Sequence, residues 1–254
     1  MKVTFLGTGT STGVPQIGCQ CPVCTSTDAR DKRLRASILV ETDETVIIID
    51  CSPDFRQQHL RLPFRKIDAM LLTHEHYDHV GGIDDLRPFS VFGPVQLYME
   101  ERVENALRER MPYCFADIKY GGIPEIDITR IHPQNTFHIH NIPILPVRVM
   151  HHKLPILGFR IKNLAYLTDV KTIPESEFSK LKHLDTLIIS ALRKEAHFTH
   201  QTLAEALRIV HRLQPKKAYF THMSHQIGLH NEVEKELPHN VFLAHDGLEI
   251  PVSE

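Results

Sequence analysis

This 254-residue chain contains no tryptophan and no apolar run long enough to cross a bilayer as a helix, which argues against a helical membrane protein. A basic surplus is also missing. Lys and Arg total 29 against 31 Asp and Glu, a formal charge of -2, so the electrostatic footprint of a nucleic-acid binder is not there. The opening Met1–Thr10 stretch is broken by glycine too early for a signal-peptide core, and a cytoplasmic location is expected. There is no internal repeat, no low-complexity tract and no proline- or glycine-rich linker. One domain over 1–254 is therefore expected.

Histidine is abundant instead, with 18 residues, several in tight groups. Three of the five cysteines fall within six residues, Cys19, Cys21 and Cys24. In a reducing compartment that spacing speaks for metal rather than disulfides.

Residues 2–6 read as a strand ending in Gly7-Thr8-Gly9-Thr10, followed by turn-rich chain to about residue 35. Ala36–Glu41 and Thr45–Asp50 read as a hairpin, Pro53–Leu60 as a short helix and Ile67–Thr73 as a buried strand. Glu100–Arg110 reads as a helix, and 112–135 as irregular chain with short strands. Phe137–Val149, Gly158–Lys162 and Leu164–Thr168 read as strands. Helices at Pro174–Lys182, Thr202–Leu213 and His230–Leu237 then alternate with strands at Asp185–Ser190, Lys217–Thr221, Val241–Leu243 and Leu248–Pro251. The pattern predicts a layered α/β domain.

The strand Ile67–Thr73 runs directly into His74-Glu75-His76-Tyr77-Asp78-His79. Three imidazoles and a carboxylate at a rigid strand end suit zinc, manganese or iron. Alternation of side chains lets His74 and His76 hold one ion while Asp78 and His79 reach toward another. Gly81-Gly82 is expected to let the loop turn sharply.

This H-x-H-x-D-H run resembles the signature of the metallo-β-lactamase superfamily, which implies a four-layer αββα sandwich with metals at one edge. Later segments match the family in order. Asp50 matches the residue that supports the ligand loop, His151 the next ligand, Asp169 the bridging carboxylate and His222 the last ligand. The resemblance implies His74, His76, His151 and Asp169 on one ion, and Asp78, His79, Asp169 and His222 on the other. His152 is the alternative to His151. Asp169 stands where β-lactam-cleaving members usually carry a thiol, which points to the oxygen-bridged branches.

Cys19-Gln20-Cys21-Pro22-Val23-Cys24 offers three thiolates to one structural zinc, and His225 is the candidate fourth ligand. Cys51 and Cys114 read as ordinary buried thiols. With the Thr221-His222-x-x-His225 segment, the cysteine run resembles PhnP-like phosphodiesterases of the carbon–phosphorus lyase pathway, which open a cyclic ribose phosphate. The expectation is a small or cyclic phosphodiester substrate, hydrolysed by a hydroxide activated between two divalent ions. His200 is expected to be the general acid, with Asp78 also in the catalytic set. For His197 an incidental place at the helix entry is favoured.

Two other readings stand beside this one. A tRNA 3′-processing endonuclease shares the motifs, but its basic, glycine-rich arm has no counterpart here. A non-catalytic metal-binding partner in cofactor biosynthesis would hydrolyse nothing. The loop Gly7–Gly13 is a minor candidate for anion contact, and Arg87 is expected in a surface ion pair. Relatives of this fold often pair, so a homodimer is carried as an expectation. Substrate-binding residues are not named by the sequence.

Overall fold

In the computed structural model, which describes residues 1–116 and 122–253, two seven-stranded mixed sheets face one another. The first half of the chain builds one sheet. Its strands are β1 (Lys2–Gly7), β2 (Ser37–Glu41), β3 (Val46–Ile49), β4 (Ala69–Leu71), β5 (Val95–Met99) and β6 (Ile126–Arg130). The second half builds the other, from β7 (Phe137–Ile139), β8 (Ile142–His151), β9 (Leu154–Ile161), β10 (Leu164–Leu167), β11 (Thr186–Ser190), β12 (Lys217–Thr221) and β13 (Val241–Leu243). The last strand, β14 (Glu249–Pro251), returns to pair antiparallel with β1.

Each sheet changes character along its width. β1 to β3 are antiparallel, whereas β3 to β6 run parallel. β8 to β10 are antiparallel, and β10 to β13 run parallel. Side-chain alternation sorts the residues into three apolar layers. Ile38, Val40, Ile47 and Ile49 face Phe159, Ile161, Tyr166 and Ile188 between the sheets. The intervening Leu39, Ile48 and Met70 pack outward against the helix Glu101–Arg110 through Val103 and Leu107. On the other side Ala165, Leu187 and Ile189 pack against the helix Leu203–Leu213 through Leu203, Ala206 and Val210. The result is the expected four-layer αββα sandwich. Strands buried on both faces explain runs such as Val46–Ile49, apolar at every position.

Several expectations needed correction. Phe137–Val149 is not one strand but the hairpin of β7 and β8, turning at His140 with φ 50°. The strand expected at Ile67–Thr73 shortens to β4, beyond which the Leu72 N–H still reaches across to the Tyr98 carbonyl, and β5 was not foreseen at all. Pro174–Lys182 is a 3-10 helix over Glu175–Leu181 rather than an α-helix. Of the irregular chain at 112–135, residues 117–121 lie outside the described residues.

No helix among the described residues is long and apolar enough to cross a membrane. The parallel strands β3, β4, β10, β11 and β12 all end at the same edge of the sandwich, and that edge carries the histidine cluster. Ligand sites in open α/β sheets commonly form beyond the carboxyl ends of parallel strands.

Candidate metal centre

Asp50 is the first residue beyond β3 and has φ 67°, a left-handed conformation uncommon for a side chain with a Cβ. That turn sends its fully buried carboxylate beneath the histidine loop. Oδ1 accepts the Thr73 backbone N–H at 2.9 Å, and Oδ2 accepts the Thr73 hydroxyl at 2.9 Å and His79 Nδ1–H at 2.7 Å. Since the Thr73 hydroxyl spends its proton on Asp50, its oxygen accepts from His74 Nδ1, 2.9 Å away. One carboxylate therefore sets the tautomer of two imidazoles and directs both Nε2 atoms toward the cluster. Sequence reasoning foresaw Asp50 but not Thr73, whose only signal was its place directly before His74.

Asp169 lies two residues beyond β10, again left-handed with φ 55°. Its Oδ1 is 3.1 Å from His79 Nε2 and 3.1 Å from His222 Nε2, while Oδ2 is 3.9 Å from His74 Nε2. His222 follows β12 with φ 55°. Asp78 Oδ2 lies 3.2 Å from His79 Nε2 and 3.5 Å from His222 Nε2. The structure thus gathers Asp78, His79, Asp169 and His222 as one donor group, and His74, His76 and Asp169 as a second. His151 gives Nδ1–H to the Asp169 carbonyl at 3.1 Å, and its ring stands 5.2 Å from that of His76. Its donor atom groups with Asp169 and His200 rather than with His74 and His76. His152 points elsewhere, with its ring tilted against that of Phe198.

The donor set fits divalent ions. His79 Nε2 and both ring nitrogens of His222 are buried without an aligned hydrogen-bond partner among the described residues, a costly state unless something else is coordinated there. Protonation agrees. Burial and the nearby His79 push His74 well below the usual imidazole range, and burial lowers His151. Burial alone would raise Asp169, but the His222 and His79 rings outweigh it and hold the carboxylate well below its usual range. Asp78 is likewise held low against its burial by His79 and His222. Neutral His74 and His151 and ionised Asp169 and Asp78 are thus in the forms that bind metal. His79 is pushed up against its burial, by Asp169, Asp78 and Asp50, three negative charges that cations would otherwise balance.

The glycines after the motif serve space rather than turning. Gly81 and Gly82 have ordinary negative φ of -67° and -92°. A Cβ on Gly82 would sit 2.1 Å from the Ser52 carbonyl oxygen, so the histidine loop could not lie against the chain that follows Asp50. In the Gly7–Gly13 loop, the Gly9, Thr10 and Gly13 N–H groups go to Leu34, Met223 and Thr10 carbonyls, and are not free for an anion. Arg87 pairs with Asp84 at the surface.

His200 is buried, with Nδ1 4.0 Å from Asp169 Oδ2 and without a hydrogen-bond partner among the described residues. Burial pushes it down to about 3. His197 accepts the Thr199 N–H at Nδ1 and stands 5.2 Å, ring to ring, from His200. Thr202 and Glu205 close a capping box on the helix that follows.

Another donor group joins the N-terminal loop to this edge. Cys19, Cys21 and Cys24 converge with His225, whose Nδ1 is 3.5 Å from Cys19 Sγ and 3.2 Å from Cys21 Sγ. Backbone N–H groups of Gln16 and Cys24 donate to Cys24 Sγ and Cys21 Sγ. The Cys24 amide, with help from His225, brings the Cys21 thiol down to about 6, whereas burial pushes Cys24 up to about 11. A soft donor set of three sulfurs and one nitrogen is the kind zinc occupies in structural sites. Cys51 and Cys114 are buried apart from it.

The model of the beta-lactamase superfamily domain matches residues 45–223, a span that holds every donor of the histidine cluster. This chain belongs to that superfamily. Its metallo-β-lactamase fold is shared at TM-score 0.92 with the crystal structure of a diphosphatase from the PhnP family, 40% identical, covering 98% of this chain and 96% of that one. Zn2+-bound PqqB from Methylobacterium extorquens shares the fold at TM-score 0.80 and 20% identity, over 99% of this chain and 100% of that one. An octanoyltransferase of Porphyromonas gingivalis is 42% identical over 100% of this chain, but the chain spans only 52% of its length. By family and fold the chain is thus similar to a PhnP-family diphosphatase.

Asp50→Asn should weaken metal binding by roughly 10–100-fold, since the amide no longer fixes both imidazoles. Calorimetric titration of the metal-free chain reads this, and an unchanged affinity would remove Asp50 from the centre. Cys21→Ser should lower the zinc content and the melting temperature together, measured by elemental analysis and a thermal scan. Equal zinc content in variant and parent would refute the sulfur site.

Proposed function

We propose that this chain hydrolyses a small or cyclic phosphodiester in the cytoplasm, where its thiols stay reduced. The observation that carries the reading is the position of Asp169, whose two carboxylate oxygens face different donor groups. A carboxylate in that place suits two hard cations sharing an oxygen ligand. Two divalent ions held there would supply an activated water at neutral pH and neutralise charge on the phosphate.

The chain's own residues divide the remaining work. His74, His76, His151 and Asp169 would hold one ion, and Asp78, His79, Asp169 and His222 the other. Asp50 orients rings without touching substrate. His200 carries a proton to the departing alkoxide. In the substrate-free chain burial keeps it neutral, and the negative charge of a bound phosphate beside it restores its proton affinity.

The PhnP-family diphosphatase favours a second reading of the bond that breaks, a diphosphate rather than a diester. Both bonds leave an oxyanion that needs charge neutralisation, so the same machinery serves either.

The test loads the chain with zinc or manganese and offers a bis-aryl phosphodiester, cyclic nucleotides and a diphosphate diester. Turnover of a diester supports the proposal, and turnover of the diphosphate alone supports the second reading. Cleavage of tRNA precursors with no small substrate turned over would make the chain a nuclease. Bound metal with no turnover at all would make it a binding partner. His200→Ala should retain its metal and lose turnover of poor leaving groups about 100-fold or more, with a smaller loss for aryl leaving groups. Lost metal content would instead make His200 a ligand, as its grouping with His151 and Asp169 allows.

A further inference from the structure

Phe198 is 71% exposed, a large apolar ring left in solvent by a segment otherwise made of His197, Thr199 and His200. The segment that presents it is pinned. Arg193 donates to the Glu195 and Ala196 carbonyls, and the Gln201 and Leu192 amides bond to the Val170 and Gln201 carbonyls. Among the described residues its aromatic neighbour is His152. His152 lies with its centroid 3.9 Å away and its plane inclined by 42°. His152 sits in the two-residue turn that joins β8 to β9, where its φ of 54° is the left-handed geometry such a hairpin needs.

The pair borders the metal centre on one side. His152 follows His151 directly, Phe198 precedes His200 by two residues, and the His151 and His200 rings are 4.6 Å apart. The ring therefore flanks the centre on the side where the His151 and His200 rings meet.

We propose that Phe198, backed by His152, is the platform on which the organic part of the substrate stacks, and that this part carries a planar ring such as a nucleobase. The inference rests on the phosphoester reading above. A flat, exposed aromatic face discriminates by stacking, since every base has a π-face, whereas it gains little from a bare polyol. A histidine held at the tip of the β8–β9 hairpin and a solvated phenylalanine carried on a pinned loop make a built ledge rather than a stray surface ring.

Two measurements test it. For the metal-loaded enzyme, the ratio of kcat/KM for a nucleoside 2′,3′-cyclic phosphate to that for glycerol 1,2-cyclic phosphate should fall about tenfold in Phe198→Ala. Phe198→Tyr should keep the ratio. Binding of AMP and of inorganic phosphate, followed by calorimetry, gives a readout that does not need turnover. Phe198→Ala should weaken AMP about tenfold more than phosphate. Equal effects on both probes, or none, would overturn the platform. If the parent enzyme hydrolyses no phosphoester, the functional reading fails, while the AMP comparison still decides the ledge.

Discussion

A single buried carboxylate organises the metal-facing edge of this molecule. Asp50 accepts three hydrogen bonds, and through them it fixes the Thr73 backbone, the His79 ring and, by way of the Thr73 hydroxyl, the His74 ring. Burial alone would push that carboxyl up, and the His79 charge opposes it. A neutral residue of similar shape would leave two rings free to turn and a buried donor unmatched, which is the expensive outcome in a low-dielectric interior.

Backbone geometry at the strand ends serves the same purpose. Asp50, Asp169 and His222 each follow a strand, and each is left-handed. Such conformations cost of order 1–3 kcal/mol each and persist where the surrounding structure over-determines them. Here the surrounding structure is the double sheet, buried on both faces, which ends its parallel strands at one edge. The strained residues redirect their side chains from the strand direction into a common volume. The N-terminal loop is bound to that edge as well. The Met223 N–H donates to the Thr8 carbonyl, the Met223 carbonyl accepts from Thr10, and the buried Arg33 donates to Thr8, the Ala244 carbonyl and His230. The sulfur site adds a further tie across the same seam.

Much of this edge was legible in the sequence because its densest motif is contiguous. His74 to His79 occupy six positions after an apolar strand, and no ordinary packing role accounts for them. Asp169 and His222 are isolated in sequence and legible only through their order in a family pattern. What stayed hidden depends on three-dimensional neighbours. Thr73 looks like the last residue of a strand, and its relay from His74 to Asp50 exists only once β3 and β4 pair. The glycines after the motif read as turn residues, whereas close approach to Ser52 requires Gly82. β5 alternates regularly, with Gln96 and Tyr98 at its half-buried positions, but is too short to stand out, and the hairpin of β7 and β8 lacks the usual glycine at its turn. His152 reads as a rival ligand in sequence, and only the fold shows that it faces Phe198.

The central claim is that Asp169 sits between two metal-binding donor groups. It is tested most directly by reconstituting the metal-free chain with manganese and recording its electron paramagnetic resonance spectrum together with its metal content. The account predicts two manganese ions per chain in addition to zinc at the sulfur site, with a spin-coupled spectrum that becomes that of isolated ions in Asp169→Asn. One manganese per chain, or two with no magnetic coupling in the parent protein, would contradict it.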